Sequence, residues 1–415
     1  MDGGLMSNDA SPPAGQRKKA KAREWSPRFW TGMDFFGWMR LLARNRFAVH
    51  WSYWPQAAAI TLLSSFNTAY RWWSWPFVGW RWPKTEIKEE PLFIIGHWRA
   101  GTTLLHELMV LDERHASPTT YECMAPNHFL LSENFARRFL NFLLPAHRPM
   151  DNMPAGWDRP QEDEFAMCNL GAPSPYLTIA FPNHPPQDQE YLTLEGLDPA
   201  ELERWKQTLV RFLKQITFRT HKRIVLKSPP HTCRIKTLLE VFPNARFLHI
   251  VRDPFVVFPS TVNLWKTLYR KHGLQPPRYA GLEEHVFETF ERMYRKFEAE
   301  RGLIASDRFC EIRYEDLVKD PVGNVRAIYE KLGLGGFETV LPALEQYVAS
   351  TAGYQTNKYE LSPELHEQIS RRWAGFIRQY GYEGECGMRN AERREAKSDK
   401  GVLCPRHRRR GKEAG

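Results

Sequence analysis

Short apolar runs that stop at turn residues recur through the middle of this chain. Leu92-Phe93-Ile94-Ile95 ends at Gly96, and helical spacing follows over residues 102–111. The same unit returns at 223–226 before Ser228-Pro229-Pro230, at 246–251 before Arg252-Asp253-Pro254, and at 309–313 before Tyr314-Glu315-Asp316. Runs this short suit strands buried on both faces, and helical stretches at 201–218, 282–300 and 322–331 are placed to cover them. The pattern predicts an α/β fold in which a parallel sheet is flanked by helices.

Upstream the pattern differs. Residues 47–70 hold no Asp, Glu, Lys or Arg, and Pro55 marks a helix start. The stretch is long enough to span a bilayer, which takes roughly 20 apolar residues, but His50, Gln56, Thr61, Ser64, Ser65, Asn67 and Thr68 interrupt it. Arg44, Arg46 and Arg71 bracket it, and ten of the fifteen tryptophans fall in residues 1–82. The sequence admits three dispositions: a helix lying in a membrane interface, a helix packed on the body of the protein, and a span. Aromatics beside cations suit the headgroup region, so peripheral membrane contact through residues 29–82 is an expectation.

Composition narrows the classes. A chain of 415 residues, 42% hydrophobic and 26% charged, builds a large core and is not a disordered protein. The net charge of +10 would invite a nucleic-acid partner if it covered the fold. However, residues 389–415 carry ten Lys/Arg against four Asp/Glu, and residues 1–28 six against three, which leaves the body nearly neutral. Nucleic acid is therefore not an expected partner, and both tails read as disordered. Cys123, Cys168, Cys233, Cys310, Cys386 and Cys404 form no CxxC pair, which suits reduced thiols in a cytoplasmic protein, and no secretory signal is visible.

Chemistry enters at the turn after the first run, Gly96-His97-Trp98-Arg99-Ala100-Gly101-Thr102-Thr103-Leu104. Glycines let the backbone approach an anion, and the N–H groups and dipole of the following helix point at it. A Walker A loop has a lysine where this chain has Thr102; the cation here is Arg99. A second constellation follows about 150 residues later, where Arg252 closes a run and Ser260 lies eight residues beyond it. Arginine gives phosphate a forked, charge-assisted grip, and serine adds a neutral donor.

With both constellations in place, the chain resembles the sulfotransferases that use 3′-phosphoadenosine-5′-phosphosulfate (PAPS) as donor. In motif it is closest to the protein-tyrosine and bacterial members. Residues 96–104 are similar to the family's 5′-phosphosulfate loop, with Trp98 in place of a proline and Ala100 in place of a serine. The resemblance implies a P-loop-like fold in which Gly96, Arg99, Ala100, Gly101, Thr102, Thr103 and Leu104 hold the 5′ end of PAPS. It implies that Arg252 and Ser260 hold the 3′-phosphate, that Lys227 touches the transferring group, and that Glu122 acts as base. Tyr314 lies near the nucleotide or packs at a strand's end, and Lys358, with Ser350 and Thr351, falls where the family places a lid. The similarity covers about residues 91–385, giving four parts: a basic tail (1–28), an aromatic helical segment (29–90), the sulfotransferase domain (91–385) and a second basic tail (386–415).

Sulfuryl transfer asks for a base on the attacking hydroxyl or amine and cations at the leaving phosphate, roles that fit Arg99 and Lys227. No metal is required. Glu162, Asp163 and Glu164 after Pro160 read as first-turn acids favoured by a helix dipole, as a site for a cationic acceptor, or as the source of the base. His97 offers the cradle its ring or only its backbone N–H, and His106, on the first helix, reads as a packing or a surface residue. The expected activity is transfer from PAPS to a small-molecule or lipid acceptor by a cytoplasmic protein, peripheral at the membrane. The alternatives are a P-loop-type kinase or phosphotransferase and a catalytically degenerate membrane-surface binder on the same fold.

Overall fold

Strand β1 (Leu92–Ile95) is wholly buried, and its side chains alternate between two cores. Phe93 and Ile95 face one core with Leu226 and Phe247, while Leu92 and Ile94 face the other with Val225 and Leu248. In the computed structural model, which describes residues 28–139, 156–351 and 359–383, β1 is central to a five-stranded sheet. It pairs in parallel with β3 (Arg223–Lys227) and β4 (Arg246–Val251). Two further parallel strands, β2 (His115–Ala116) on β3 and β5 (Phe309–Arg313) on β4, complete the order β2-β3-β1-β4-β5. This is the parallel sheet that the apolar runs predict; β2, two residues long, has no periodicity to read.

Helices α1 (Phe35–Arg44) and α2 (Trp54–Ser74) precede the sheet, and α3 (Thr102–Met109) follows β1. Between β2 and β3 run α4 (Thr120–Met124), α5 (Phe129–Phe139), α6 (Asp163–Asn169) and α7 (Pro199–Thr220). α8 (Ile235–Val241) leads to β4, α9 (Pro254–His272) and α10 (Leu282–Glu300) lead to β5, and α11 (Tyr314–Lys319), α12 (Pro321–Lys331) and α13 (Phe337–Thr351) follow it. The two basic tails, except for Arg28, lie outside the described residues, as does Lys358 with its lid role.

Residues 28–84 pack on the sheet domain. Trp30 and Trp38 are fully buried, and the Trp30 indole donates to the His272 carbonyl at 2.9 Å. The Phe29 ring stacks on Phe165 and His272 with centroids 3.8 and 3.9 Å apart. α2 turns its polar residues toward the protein. Thr61 accepts from the Trp38 indole at 2.9 Å, Thr68 from the Phe35 amide at 2.8 Å, and Asn67 donates to the Thr31 and Met33 carbonyls at 2.8 and 3.0 Å. Leu62, Leu63, Phe66, Trp72 and Trp73 are left exposed, the reverse of an ordinary surface helix, whose apolar stripe faces the core. No helix among the described residues is long and apolar enough to cross a membrane.

Candidate active site

Parallel pairing brings the carboxyl ends of three strands to one edge. Ile94 is level with Lys227 and Ile95 with His249, so the turn after β1, the end of β3 and Arg252 after β4 adjoin despite their separation in sequence. Such an edge, where neighbouring strands lead away in opposite directions, is where open α/β sheets take ligands.

The turn after β1 is built for close approach. Gly96 and Gly101 hold φ of 146° and 103°. A Cβ on Gly96 would come 2.5 Å from the Ile250 carbonyl oxygen, and one on Gly101 would come 2.3 Å from the Tyr314 ring. Arg99 holds φ 69°, a left-handed conformation that costs a non-glycine residue about 1–3 kcal/mol. The Ala100 amide closes the turn on the His97 carbonyl at 3.1 Å, and the Gly96 amide donates to Thr232 Oγ1 at 2.8 Å. α3 then begins with Thr102, Thr103 and Leu104 and no side-chain cap, so its first amides are available to an anion.

The two constellations read from the sequence touch. Arg99 Nε donates to Ser260 Oγ at 2.9 Å, and Arg252 Nη1 donates to the Arg99 carbonyl at 3.1 Å. The Arg252 guanidinium lies 4.0 Å from the centre of the Tyr314 ring, so Tyr314 is held between Gly101 and Arg252. Burial pulls Arg252 below its ordinary value; Tyr314 and Glu315 oppose this and the charge of Arg99 adds to it. Asp253 caps α9 by accepting from the Phe255 amide at 2.9 Å, which orients the helix that carries Ser260. Ser350 and Thr351 end α13 with their hydroxyls on the Tyr347 carbonyl.

Beside this pair lies a carboxylate. Lys227 Nζ donates to Glu162 Oε1 at 2.7 Å, and the Tyr176 hydroxyl donates to Glu162 Oε2 at 2.5 Å. Tyr176 in turn accepts from the Trp98 indole at 2.8 Å, so the tryptophan that replaces the family's loop proline links the anion cradle to Glu162. The next acids are also taken up by the segment after β3. Asp163 accepts from Ser228 at 2.7 Å and from His231 at 2.8 Å, and Glu164 accepts from Arg234 at 2.6 and 3.0 Å. Burial opposes the ionisation of Asp163, but His231 and Ser228 outweigh it and hold the carboxyl below its ordinary value. Asp163 and Glu164 stand in the first turn of α6, as the first-turn reading expects, and all three acids also have side-chain partners from the end of β3 onward.

Glu122 is placed differently. Its side chain is fully buried, accepts from the Thr119 amide at 2.7 Å in a capping box, and lies 2.9 Å from Arg219. Burial pushes it up to about 7 against the pull of Arg219. His97 is buried with Nδ1 donating to the Trp98 carbonyl at 2.9 Å, and burial draws it down to about 4, so its ring is neutral. His106 packs under β3, donating to the Val225 carbonyl at 3.3 Å. Tyr176 and Thr232 carried no local signal in the sequence, because each acquires its partner only through the fold.

The family model described as "Sulfotransferase family" matches residues 91–338. The omega-hydroxy-beta-dihydromenaquinone-9 sulfotransferase Stf3 of Mycobacterium tuberculosis is 54% identical over 361 residues, covering 87% of this chain and 93% of the relative; its Mycobacterium bovis counterpart matches equally. Among solved structures, sulfotransferase STF9 from Mycobacterium avium shares the fold at a TM-score of 0.57 and 17% identity, over 84% of this chain and 96% of that one. STF1 from Mycobacterium tuberculosis follows at a TM-score of 0.52 and 18% identity, over 83% and 94%. With a family match across the sheet domain and a close sulfotransferase relative over most of its length, this chain belongs to the sulfotransferase family.

Proposed function

We propose that the chain transfers the sulfuryl group of PAPS to the hydroxyl of a menaquinone-type lipid, with Glu162 as base. The donor assignment is carried by one observation: Arg99, Ser260, Arg252 and Tyr314 meet around an uncapped helix start whose glycines admit no Cβ. The acceptor class is supported by the relative at 54% identity, which is named for an omega-hydroxylated dihydromenaquinone. A kinase reading lacks its Walker lysine, and a degenerate binder would have no use for this cation set.

When bound, the donor supplies a sulfuryl group already activated by its phosphate leaving group. Arg99 and the first amides of α3 would neutralise charge growing on that phosphate, and Lys227, at the adjacent end of β3, would add a second cation. Glu162 takes the proton of the acceptor hydroxyl as its oxygen bonds to sulfur and the sulfur–oxygen bond to the phosphate breaks. Its two oxygens already accept from Lys227 and Tyr176, and a carboxylate has lone pairs left for one more donor. Glu122, expected as base from the family pattern, is instead fully buried, with Oε2 accepting from the Thr119 amide and Oε1 beside Arg219.

Glu162→Gln should lower kcat about 10²–10⁴-fold with the donor KM little changed, while Glu122→Gln retains most activity. Transfer of label from PAPS to an omega-hydroxylated menaquinone, compared with simple phenols and sugars, measures both the base and the acceptor. An active Glu162→Gln would return the base to another group, and a preference for sugars would overturn the lipid acceptor.

We further infer that the outward face of residues 29–82 rests on a membrane, at its cytoplasmic side, where such an acceptor resides. The inverted orientation of α2 supports this, since large exposed apolar patches mark interaction surfaces. The free thiols of Cys123, Cys168, Cys233 and Cys310 suit a reducing compartment.

A further inference from the structure

The aromatic segment runs from α2 through the turn Trp75–Gly79 to Trp82 and Pro83, which form one wall of a groove of about 510 Å³ against α7. Lys206, Arg211 and Lys214 of α7 line the opposite wall. Most charges of the groove are satisfied. Lys206 pairs with Glu240, Lys214 donates to the Pro83 carbonyl at 3.0 Å, and Glu203 accepts from Gln207 at 2.9 Å.

Arg211 is different. Its guanidinium lies 5.7 Å from the centre of the Trp82 ring, its Nε is buried without a hydrogen-bond partner, and no described carboxylate is in ion-pair contact with it. Burial, with the charge of Arg71 added, draws it down to about 10, and Asp34 opposes this only in part. A half-buried cation with a repelling neighbour and no described carboxylate in contact gains most from a bound anion. The surroundings name the anion's source. Trp72, Trp73, Trp75 and Trp80, just before the groove, are all exposed, and indoles prefer the headgroup level of a bilayer, where the anion within reach is a lipid phosphate.

We propose that this groove binds the phosphate of an anionic lipid headgroup, with Arg211 as its ligand and Trp82 as the facing wall. The site rests on the membrane contact inferred above and adds a chemical preference to it: the chain selects anionic lipid at a defined position, apart from its donor site. Recruitment would then set the orientation in which an acceptor lipid meets the enzyme.

Flotation of the full chain with vesicles of phosphatidylcholine alone, and of phosphatidylcholine mixed with phosphatidylglycerol, tests this. The wild type should partition more strongly onto the mixed vesicles. Arg211→Gln should weaken that partitioning about fivefold, the worth of one cation near an anionic surface, and leave binding to phosphatidylcholine unchanged. Equal partitioning of the wild type onto the two vesicles overturns the headgroup site whatever the variant does, and leaves the membrane contact standing. Trp72→Ala combined with Trp75→Ala should lower binding to both vesicles; if it does not, the membrane contact itself falls. If inorganic phosphate raises the Tm of the wild type but not of Arg211→Gln, with no vesicle preference, the occupant is free phosphate and the lipid assignment is wrong.

Discussion

Glu122 and Glu162 differ in what surrounds them more than in what they are. Glu122 stands in the first turn of α4 with its carboxyl enclosed, and burial raises it from an ordinary 4.5 to about 7. A carboxyl raised in the folded state favours folding while protonated, so its contribution is full below pH 4.5 and is lost as pH rises to about 7. The stability of the wild type relative to Glu122→Gln should therefore fall across that window and level off above it, as read by urea unfolding at a series of pH values. A relative gain with rising pH would instead mean that attraction to Arg219 outweighs burial. At this scale the sequence made the tight turn after β1 legible, because Gly96, Arg99, Gly101 and Thr102 shape contiguous backbone. It left the proposed base open, because the partners of Glu162, Lys227 and Tyr176, lie 65 and 14 residues away.

α6 is held by the segment that begins at the end of β3. Glu162, Asp163 and Glu164 meet Lys227, His231 and Arg234 in order, so the element that bears the proposed base is registered against the strand that bears the proposed cation. The third pair is fully buried, and Arg234 also donates to the Tyr191 carbonyl at 2.6 Å and lies 4.9 Å from the Trp205 ring. Glu164→Gln leaves a buried guanidinium without its counter-charge, and the loss should be about 3–5 kcal/mol in denaturant unfolding. The exposed Arg326–Glu338 pair, 2.7 Å apart, is the control: Glu338→Gln should change stability by no more than about 1 kcal/mol. A small effect at Glu164 would mean that α6 is seated by apolar packing alone. Elements of this kind resist reading from sequence. Strands β1, β3, β4 and β5 announce themselves by apolar runs, whereas three acids after a proline look like any helix start until the fold supplies their cations. α2 is harder still, since an uncharged helix gives no sign of which face the protein will take.

For the molecule as a whole, the aromatic segment has two faces. Trp30 and Trp38 are 0% exposed within the core, while Trp72 is 68% exposed on the outer side of the same segment. Phe29 and Trp30 also seat α6 and α9 from outside, so the segment supports the site rather than merely preceding it. Removing it whole would unfold the enzyme and say nothing of membranes; single substitutions separate the two roles. Trp38→Ala opens a cavity and leaves Thr61 without its indole donor, so unfolding in urea should show a loss of about 3–5 kcal/mol. Trp72→Ala removes only exposed surface, and its effect on stability should stay within about 0.5 kcal/mol. Were the two losses alike and large, Trp72 would be a packing residue and the outward face of α2 would lose its claim on a membrane. Were they alike and small, residues 28–84 would not be part of the core, and the support they lend to α6 would have to come from elsewhere.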